Sequence, residues 1–413
     1  MPVAFKNFST QKNYRWIIVI VGFLLQITSL GFARFAYTVI LPSMKNDLRF
    51  SNTRMGLLQT GIVTGYLLFS YLGGIFASRW NLIRVINLSV VMCGLAMIGL
   101  GLVSSFHLLF LLTLLVGAGS SGAYIPLVPL VIGWFSSKRS GLPLGLAFSG
   151  SGVGIILVGY FVPFLLAQLS PSGWRVSWIS LGGMTLVTAL VSFFLLKEWP
   201  GAEEKNSDVG SSHHIPISIW RLLVRNRSVF TILVVYFLIG FAYIMYATFF
   251  VTYAVEEVLV TKTEAGLMWS AFGVFSVLGC FLWGAISDFL GRKWTTAWDI
   301  LILSASILIS VLWVNRIGLY VSVILFAFAL NGFITLIAAM FGDRVEITAV
   351  GEIFGLSTLI HSLGMAIGAS LTGYLKDLTS TFQVPFLVSG ATVGFCFFIF
   401  ILFYEKGKKA MVF

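Results

Sequence analysis

An all-α membrane protein, with twelve transmembrane helices in two six-helix pseudo-symmetric halves, is the fold class this sequence predicts, and three observations predict it. Hydrophobic residues make up 58% of the 413 and charged residues only 10%, with a mean hydropathy of +0.98, far outside the balance of a soluble domain. Apolar runs of the roughly 20 residues that a spanning helix needs recur along the whole chain. One long polar interruption, at 197–227, divides those runs six and six.

The runs predict helices at 16–41, 54–77, 84–104, 107–133, 142–166 and 174–196, then at 228–253, 265–287, 294–314, 317–341, 352–375 and 384–403. Backbone groups in lipid must be satisfied within their own segment or in a closed barrel, and these runs are too long for barrel strands. The first run lacks the short apolar stretch and small-residue cleavage site of a signal peptide, so it is read as a helix. Its apolar pattern stops before Pro42 and is broken by one charge, Arg34. Helix 4 carries Gly117, Gly119, Ser120, Ser121 and Gly122, which allow close helix approach, and then Tyr124, Pro126 and Pro129, whose prolines kink it. Helix 7 carries Tyr236, Tyr243, Tyr246 and Tyr253 within an arc of about 100°. Tyr243 and Tyr246 are read as cavity lining, and Tyr253, at the helix end, as a membrane-interface residue. Asp299, just inside helix 9, is expected to be a partnered structural carboxylate. On helix 10, Asn331 and Thr335 are four apart and share a face. His361 falls near the middle of helix 11, where a group titrating near neutral pH suits proton exchange. Cys93, Cys280 and Cys396 fall inside spans, where cysteines pack as small apolar residues. The domain reading is an N-terminal half at 1–196, a cytoplasmic linker at 197–227 and a C-terminal half at 228–413.

Charge gives orientation, because basic residues near helix ends stay on the cytoplasmic side. With both termini inside, 18 of the 26 Lys and Arg fall in inner regions and 7 in outer ones, leaving Arg34 within a span. The net charge of +11 is thus a topology signal. It is spread over many short loops, which argues against a nucleic-acid surface. No cluster with metal-ligand spacing, no nucleophile paired with a base and no Gly-Lys phosphate loop stands in the sequence, so neither an enzyme nor an ATP-driven pump is read from it, and no cofactor is expected. A membrane sensor would ordinarily append a soluble signalling domain, and that reading ranks below transport.

The two halves also repeat. A shift of 210 positions lays Gly74 on Gly284, Gly141 on Gly351, Gly145 on Gly355, Leu146 on Leu356 and Gly154 on Gly364; a shift of 209 lays Phe32, Ala33 and Tyr37 on Phe241, Ala242 and Tyr246. One offset serving two helix pairs, 2 with 8 and 5 with 11, points to parallel repeats about an axis along the membrane normal.

Between helices 8 and 9 stand Gly284, Asp288, Gly291, Arg292 and Lys293 at the spacing G-x-x-x-D-x-x-G-R-K. That loop resembles the signature of the major facilitator superfamily, whose fold is two six-helix halves around a central cavity. The resemblance implies a cytoplasmic gate in which Asp288 caps helix 11 near Gly351, where a carboxylate meets unpaired backbone donors. The first-half copy departs from the pattern: Ser78 replaces the aspartate beside Arg79, and Asn81 replaces the second glycine. Serine caps without charge, so the first-half latch is expected to be the weaker.

A second resemblance covers Gly31, Arg34, Tyr37, Leu41, Pro42 and Met44, then Met55, Gly56, Gly65 and Tyr66. It is similar to the YbfB/YjiJ-type permeases. The superfamily cavity is lined chiefly by helices 1, 4, 7 and 10, which places Arg34 on one wall. A guanidinium offers a planar fork of donors and keeps its charge, which suits a carboxylate, sulfonate or phosphate. The 209-residue shift sets Tyr243 opposite Arg34. Substrate contacts are therefore expected from Arg34, Tyr37, Tyr124, Tyr243, Tyr246, Asn331 and Thr335, proton coupling from His361, and gating from Ser78, Arg79, Asp288, Gly291, Arg292 and Lys293. The arginine that many proton-coupled relatives carry early in helix 4 is replaced near Thr113, and helix 5 lacks the G-P-x-x-G-G ending of drug:proton antiporters. The reading is a secondary active transporter moving a small solute, an organic anion, by alternating access with protons, with multidrug or metabolite efflux by proton antiport as the alternative. A monomer in a bacterial inner membrane, surrounded by lipid and with both termini cytoplasmic, completes the expectation.

Overall fold

A computed structural model describes residues 8–79, 81–135, 141–197, 227–344 and 347–404; the side chains at 8–13, 71–79, 141, 280–281, 284–285, 288, 338–339, 341–344 and 347–355 lie outside the description. Twelve helices follow in order: α1 (8–48), α2 (Asn52–Arg79), α3 (Leu82–Leu102), α4 (Phe106–Phe135), α5 (Gly141–Gln168), α6 (Gly173–Leu195), α7 (Arg227–Glu256), α8 (Lys262–Leu290), α9 (Arg292–Leu312), α10 (Arg316–Arg344), α11 (Ile347–Thr379) and α12 (Gln383–Phe403). Among the described residues, nine helices are long and apolar enough by length and composition to cross a membrane. Most of the predicted linker at 197–227 lies outside the described residues.

Helix α1 departs from expectation in two ways. It runs through Pro42 to Leu48 before Arg49 ends it in a left-handed conformation, φ 53°. A proline in a spanning helix loses one backbone bond, which neighbouring groups make tolerable. In its middle, Ile27–Phe32 form a π-helical stretch between Phe8–Gln26 and Ala33–Leu48, ending two residues before Arg34.

Packing follows the repeat. In the first half α2 lies on α4, α4 on α3, α3 on α6 and α1 on α5; in the second, α8 lies on α10, α10 on α9, α9 on α12 and α7 on α11. Between the halves α2 meets α11, α5 meets α8 and α1 meets α7. The first two contacts are the same contact with the halves exchanged. The α2–α4 crossing is close: a Cβ added at Gly65 would sit 1.9 Å from the Leu114 carbonyl oxygen, and one at Gly117 1.9 Å from that of Ile62. The α5–α8 crossing does the same between halves, with a Cβ at Gly159 falling 2.4 Å from Gly266 O and one at Gly266 2.3 Å from Gly159 O.

The innermost helix is α7, whose Tyr236, Tyr243, Tyr246, Phe249, Phe250 and Tyr253 are all buried. Large apolar side chains lie exposed on the outermost helices, among them Leu88 and Leu95 on α3, Phe193 and Phe194 on α6, Trp294 and Trp298 on α9, and Phe395 and Phe398 on α12. An exposed apolar belt of this kind fits hydrocarbon and would be a liability in water.

Candidate functional site

Where α1, α2, α7 and α11 converge, Arg34 is held by neutral groups. Its Nη2 donates to Tyr243 Oη at 2.7 Å and to Met365 Sδ at 3.3 Å, and the same tyrosine hydroxyl lies 3.3 Å from that sulfur. The guanidinium carbon sits 5.3 Å from the Tyr66 ring centroid and 5.9 Å from that of Phe35, within reach of cation–π attraction. The ion pairs seen among the described residues lie at helix ends and involve Lys45, Arg175, Arg316 and Lys376, with none at Arg34.

Two small cavities flank the guanidinium. One, lined by Arg34, Ile62, Val63, Tyr66, Ser120, Ser362 and Met365, encloses about 10 Å³. The other lies toward the α1–α2 turn, is lined by Arg34, Phe35, Thr38, Gln59, Tyr243, Ile244, Ala247 and Thr248, and is also about 10 Å³. Each has room for about one water. The α1–α7 contact continues past the second cavity, where Thr38 donates to the Ala247 carbonyl at 3.0 Å. Arg34 with Tyr243 and Thr38 with Ala247 are each 209 residues apart. The repeat offset thus brings equivalent positions of the two halves face to face.

His361, on α11, is 5% exposed. Its Nδ1 is 2.8 Å from the Tyr236 carbonyl oxygen, and its ring lies nearly parallel to Tyr236 at 4.1 Å and to Tyr243 at 5.5 Å. Pairing with a carbonyl fixes the tautomer with the proton on Nδ1. The histidine and Arg34 thus share Tyr243 as a neighbour.

Several expected contacts lie elsewhere. Tyr37 donates to the Met55 carbonyl at 2.7 Å and ties α1 to α2. Tyr246 shares a hydrogen bond with Ser322 and packs on Phe250, Phe326 and Phe386. Tyr124 packs on Phe148, and Thr335 spends its hydroxyl on the Asn331 carbonyl one turn back. None of Tyr37, Tyr124, Tyr246, Asn331 and Thr335 lines either cavity beside Arg34. Tyr253 is not an interface residue: it is buried, donates to the Ser310 carbonyl at 2.8 Å and packs on Phe382 and Phe386. Sharing one helical face is not sharing one environment, because α7 is enclosed by neighbours all along its length. Asp299 corrects another expectation, since it is fully buried and neither carboxyl oxygen has a partner among the described residues. The cavity residues Thr38, Gln59, Tyr66, Thr248 and Met365 were not predicted as contacts; of these, Thr38 and Tyr66 lie within the segments that carried the permease resemblance.

The side chains of Ser78, Arg79 and Asp288, and Gly351, lie outside the described residues. Gly291 turns the chain at φ 82°, Arg292 donates to the Ser287 hydroxyl and Lys293 to the Ile401 carbonyl at 3.2 Å. At the opposite end the halves are visibly tied. Lys45 Nζ donates to Glu256 Oε1 at 2.7 Å and to Asn52 Oδ1 at 2.9 Å. Asp377 caps α2: Oδ1 accepts from the Asn52 backbone N–H at 3.0 Å and side chain at 2.8 Å, and Oδ2 from the Thr53 N–H at 2.8 Å and hydroxyl at 2.6 Å.

Residues 26–401 match the family model described as an uncharacterised MFS-type transporter, YbfB. The chain is 24% identical over 412 residues to the hexuronate transporter of Bacillus subtilis, covering 91% of this chain and 92% of that one. It is 22% identical over 385 residues to the probable sulfoacetate transporter SauU of Cupriavidus necator, covering 86% of each. Its fold superposes on the crystal structure of a D-xylose-proton symporter with a TM-score of 0.81, at 14% identity, over 96% of this chain and 100% of that one. Twelve helices, an apolar belt, a repeat that meets itself at one central arginine and a family match over nearly the whole length lead to one conclusion: this chain is an integral membrane protein of the major facilitator superfamily, belonging to the YbfB-type transporter family.

Proposed function

We propose that this protein is a secondary transporter that carries a small organic anion by alternating access, with Arg34 as the anchor of the negative charge. The observation that carries the reading is a permanent cation at the centre of the bundle whose hydrogen-bonding neighbours are a tyrosine hydroxyl and a thioether sulfur. A guanidinium in the core of a membrane costs at least about 2.5 kcal/mol, and a ligand carboxylate or sulfonate supplies the bidentate acceptor that phenol and thioether do not. The relatives are consistent with that class, since hexuronate and sulfoacetate are both anions.

Alternating access is supported by the ties at the α1–α2 and α7–α8 end, which the bias of Lys and Arg assigns to the outer face. Lys45 with Glu256, Asp377 on the start of α2, and the glycine crossing of α5 on α8 close that end across the halves. Rocking the halves apart there would break these contacts and open the central cavities outward. Proton coupling is assigned to His361, which stacks on the tyrosine that holds Arg34.

The test is counterflow in proteoliposomes with a panel of small carboxylates and sulfonates, using wild type, Arg34→Gln and Arg34→Lys. Exchange of at least one anion by wild type is expected, abolished in Arg34→Gln and weakened in Arg34→Lys, since lysine keeps the charge and loses the fork. Unaltered exchange in Arg34→Gln, or exchange confined to cations and neutral solutes, would remove Arg34 as the anchor.

A further inference from the structure

Two buried polar atoms beside Arg34 are left unpaired among the described residues. Gln59 on α2 is 3% exposed and Thr248 on α7 is 1% exposed, and neither Gln59 Oε1 nor Thr248 Oγ1 has a hydrogen-bond partner. Both line the cavity that also holds Arg34, Phe35, Thr38 and Tyr243. Helical threonines commonly turn the hydroxyl back onto a carbonyl of the preceding turn. Thr231 and Thr372 do so here, at 2.7 Å and 2.8 Å. Thr248 does not, which leaves its hydroxyl for whatever enters the cavity.

A buried acceptor without a donor carries a penalty that native structures seldom leave standing. One water fits the cavity as it stands. When the halves part and the cavity widens, a cargo group must do what the water's O–H does. An ammonium donor is opposed by the charge of Arg34 in the same cavity. A hydrocarbon acid offers no donor and would leave Gln59 Oε1 unpaired. An alcohol meets both demands, because a hydroxyl donates to the glutamine oxygen and also exchanges a hydrogen bond with a threonine hydroxyl.

Resting on the reading that Arg34 binds the acid group, we propose that the cargo is a hydroxylated carboxylate. Its acid lies on Arg34, and its hydroxyls point toward the α1–α2 turn onto Gln59 and Thr248, which set specificity.

The experiment is a thermal-shift titration of the purified full-length chain with two matched pairs of probes, gluconate against hexanoate and glycerate against propionate. Wild type, Gln59→Leu, Thr248→Val and Arg34→Gln are compared, and only variants that melt cooperatively are scored. Wild type is expected to bind at least one hydroxylated acid about tenfold or more tighter than its match. Gln59→Leu and Thr248→Val are each expected to cut that preference at least about fivefold without weakening the plain acid, whereas Arg34→Gln loses both members of the pair. If wild type binds each pair alike, or if both substitutions leave the preference intact, the hydroxyl subsite is overturned while the anion anchor stands. Should Arg34→Gln bind as wild type does, the anchor fails and the subsite falls with it.

Discussion

Arg34 and Tyr243 do two things with one hydrogen bond. It satisfies a charge in the membrane core and joins α1 of one half to α7 of the other. Under the proposed anchoring, an anion on the guanidinium fork would compete with that tie, and cargo binding and the bond between halves would oppose each other. Tyr243→Phe removes the acceptor and keeps the ring, so anion affinity should rise while the folded protein loses about 1.5–3 kcal/mol, the usual worth of a hydrogen bond to a charged group. Titration and chemical denaturation on the same sample check both signs, and lower affinity in the variant would mean that the tyrosine hydroxyl touches cargo. His361→Gln keeps an amide that can donate to the Tyr236 carbonyl but cannot exchange a proton near neutral pH. Transport by this variant should lose the pH dependence of the parent with cargo affinity retained; a persisting pH profile would take His361 out of the coupling scheme. What the sequence revealed at this scale followed from contrast. A charge inside an apolar run is visible without a structure, and the repeat offset found its partner across the axis. Gln59 and Thr248 are ordinary residues for a spanning helix, and only their unpaired atoms distinguish them.

Closure at the α1–α2 end belongs to pairs of helices. The Gly159 and Gly266 backbones meet without side chains between them, so Gly159→Ala pushes α5 from α8 at that end. Strain of about 1–3 kcal/mol should disfavour the closed arrangement, and a cysteine beside the α1–α2 turn should label faster from the side that turn faces. Equal labelling in parent and variant would mean the crossing is not part of the gate. Asp377 lies at the end of α11, past the predicted span of 352–375. Burial tends to raise its pKa, but four hydrogen bonds from Thr53 and Asn52 outweigh that and hold it below the ordinary 3.8. A carboxyl depressed in the closed state stabilises that state fully above 3.8 and releases it as pH falls below that value toward its own lower one. The α1–α2 end should therefore stay shut across the neutral range and loosen only in acid, while Asp377→Asn should loosen it at neutral pH by the same labelling assay. Sequence reading counted Lys45 and the neighbouring arginines by side of the membrane, which gives orientation and hides pairing. Lys45 and Glu256 stand 211 positions apart and meet only once both halves exist. Helix existence was legible throughout, because hydrophobic length decides it. Helix ends were not: α1 continues past Pro42 to Leu48, since packed neighbours make the lost backbone bond tolerable.

At the scale of the molecule, the halves are joined by the α2–α11 and α5–α8 contacts, related by exchange of halves, and by α1 on α7 at the axis. Parallel repeats pair the halves in this way without any specialised segment, since each half presents the same two faces to the other. Among the described residues the permanent charges sort accordingly: ion pairs gather at helix ends, and Arg34 stands apart near the centre. Two contacts break this symmetry at the axis, because Arg34 with Tyr243 and Thr38 with Ala247 are repeat-equivalent positions occupied by different chemistry. The fold is symmetric and the site is not.

The π-helical stretch Ile27–Phe32 sets the angular address of everything that follows it on α1. Each residue advances a helix by about 100°, so a spare residue held in a wide turn rotates the downstream half of α1 without moving its upstream half. Arg34 is the second residue after that turn. Deleting one residue between 27 and 32 would let the stretch relax to a plain α-helix and swing the guanidinium about a quarter turn around the helix, away from Tyr243. The shortened chain should still insert, since its hydrophobic length is ample, but it should lose anion binding as completely as Arg34→Gln does. Where the charge points is thus decided by the count of residues upstream of it, a property that no substitution at the site can restore.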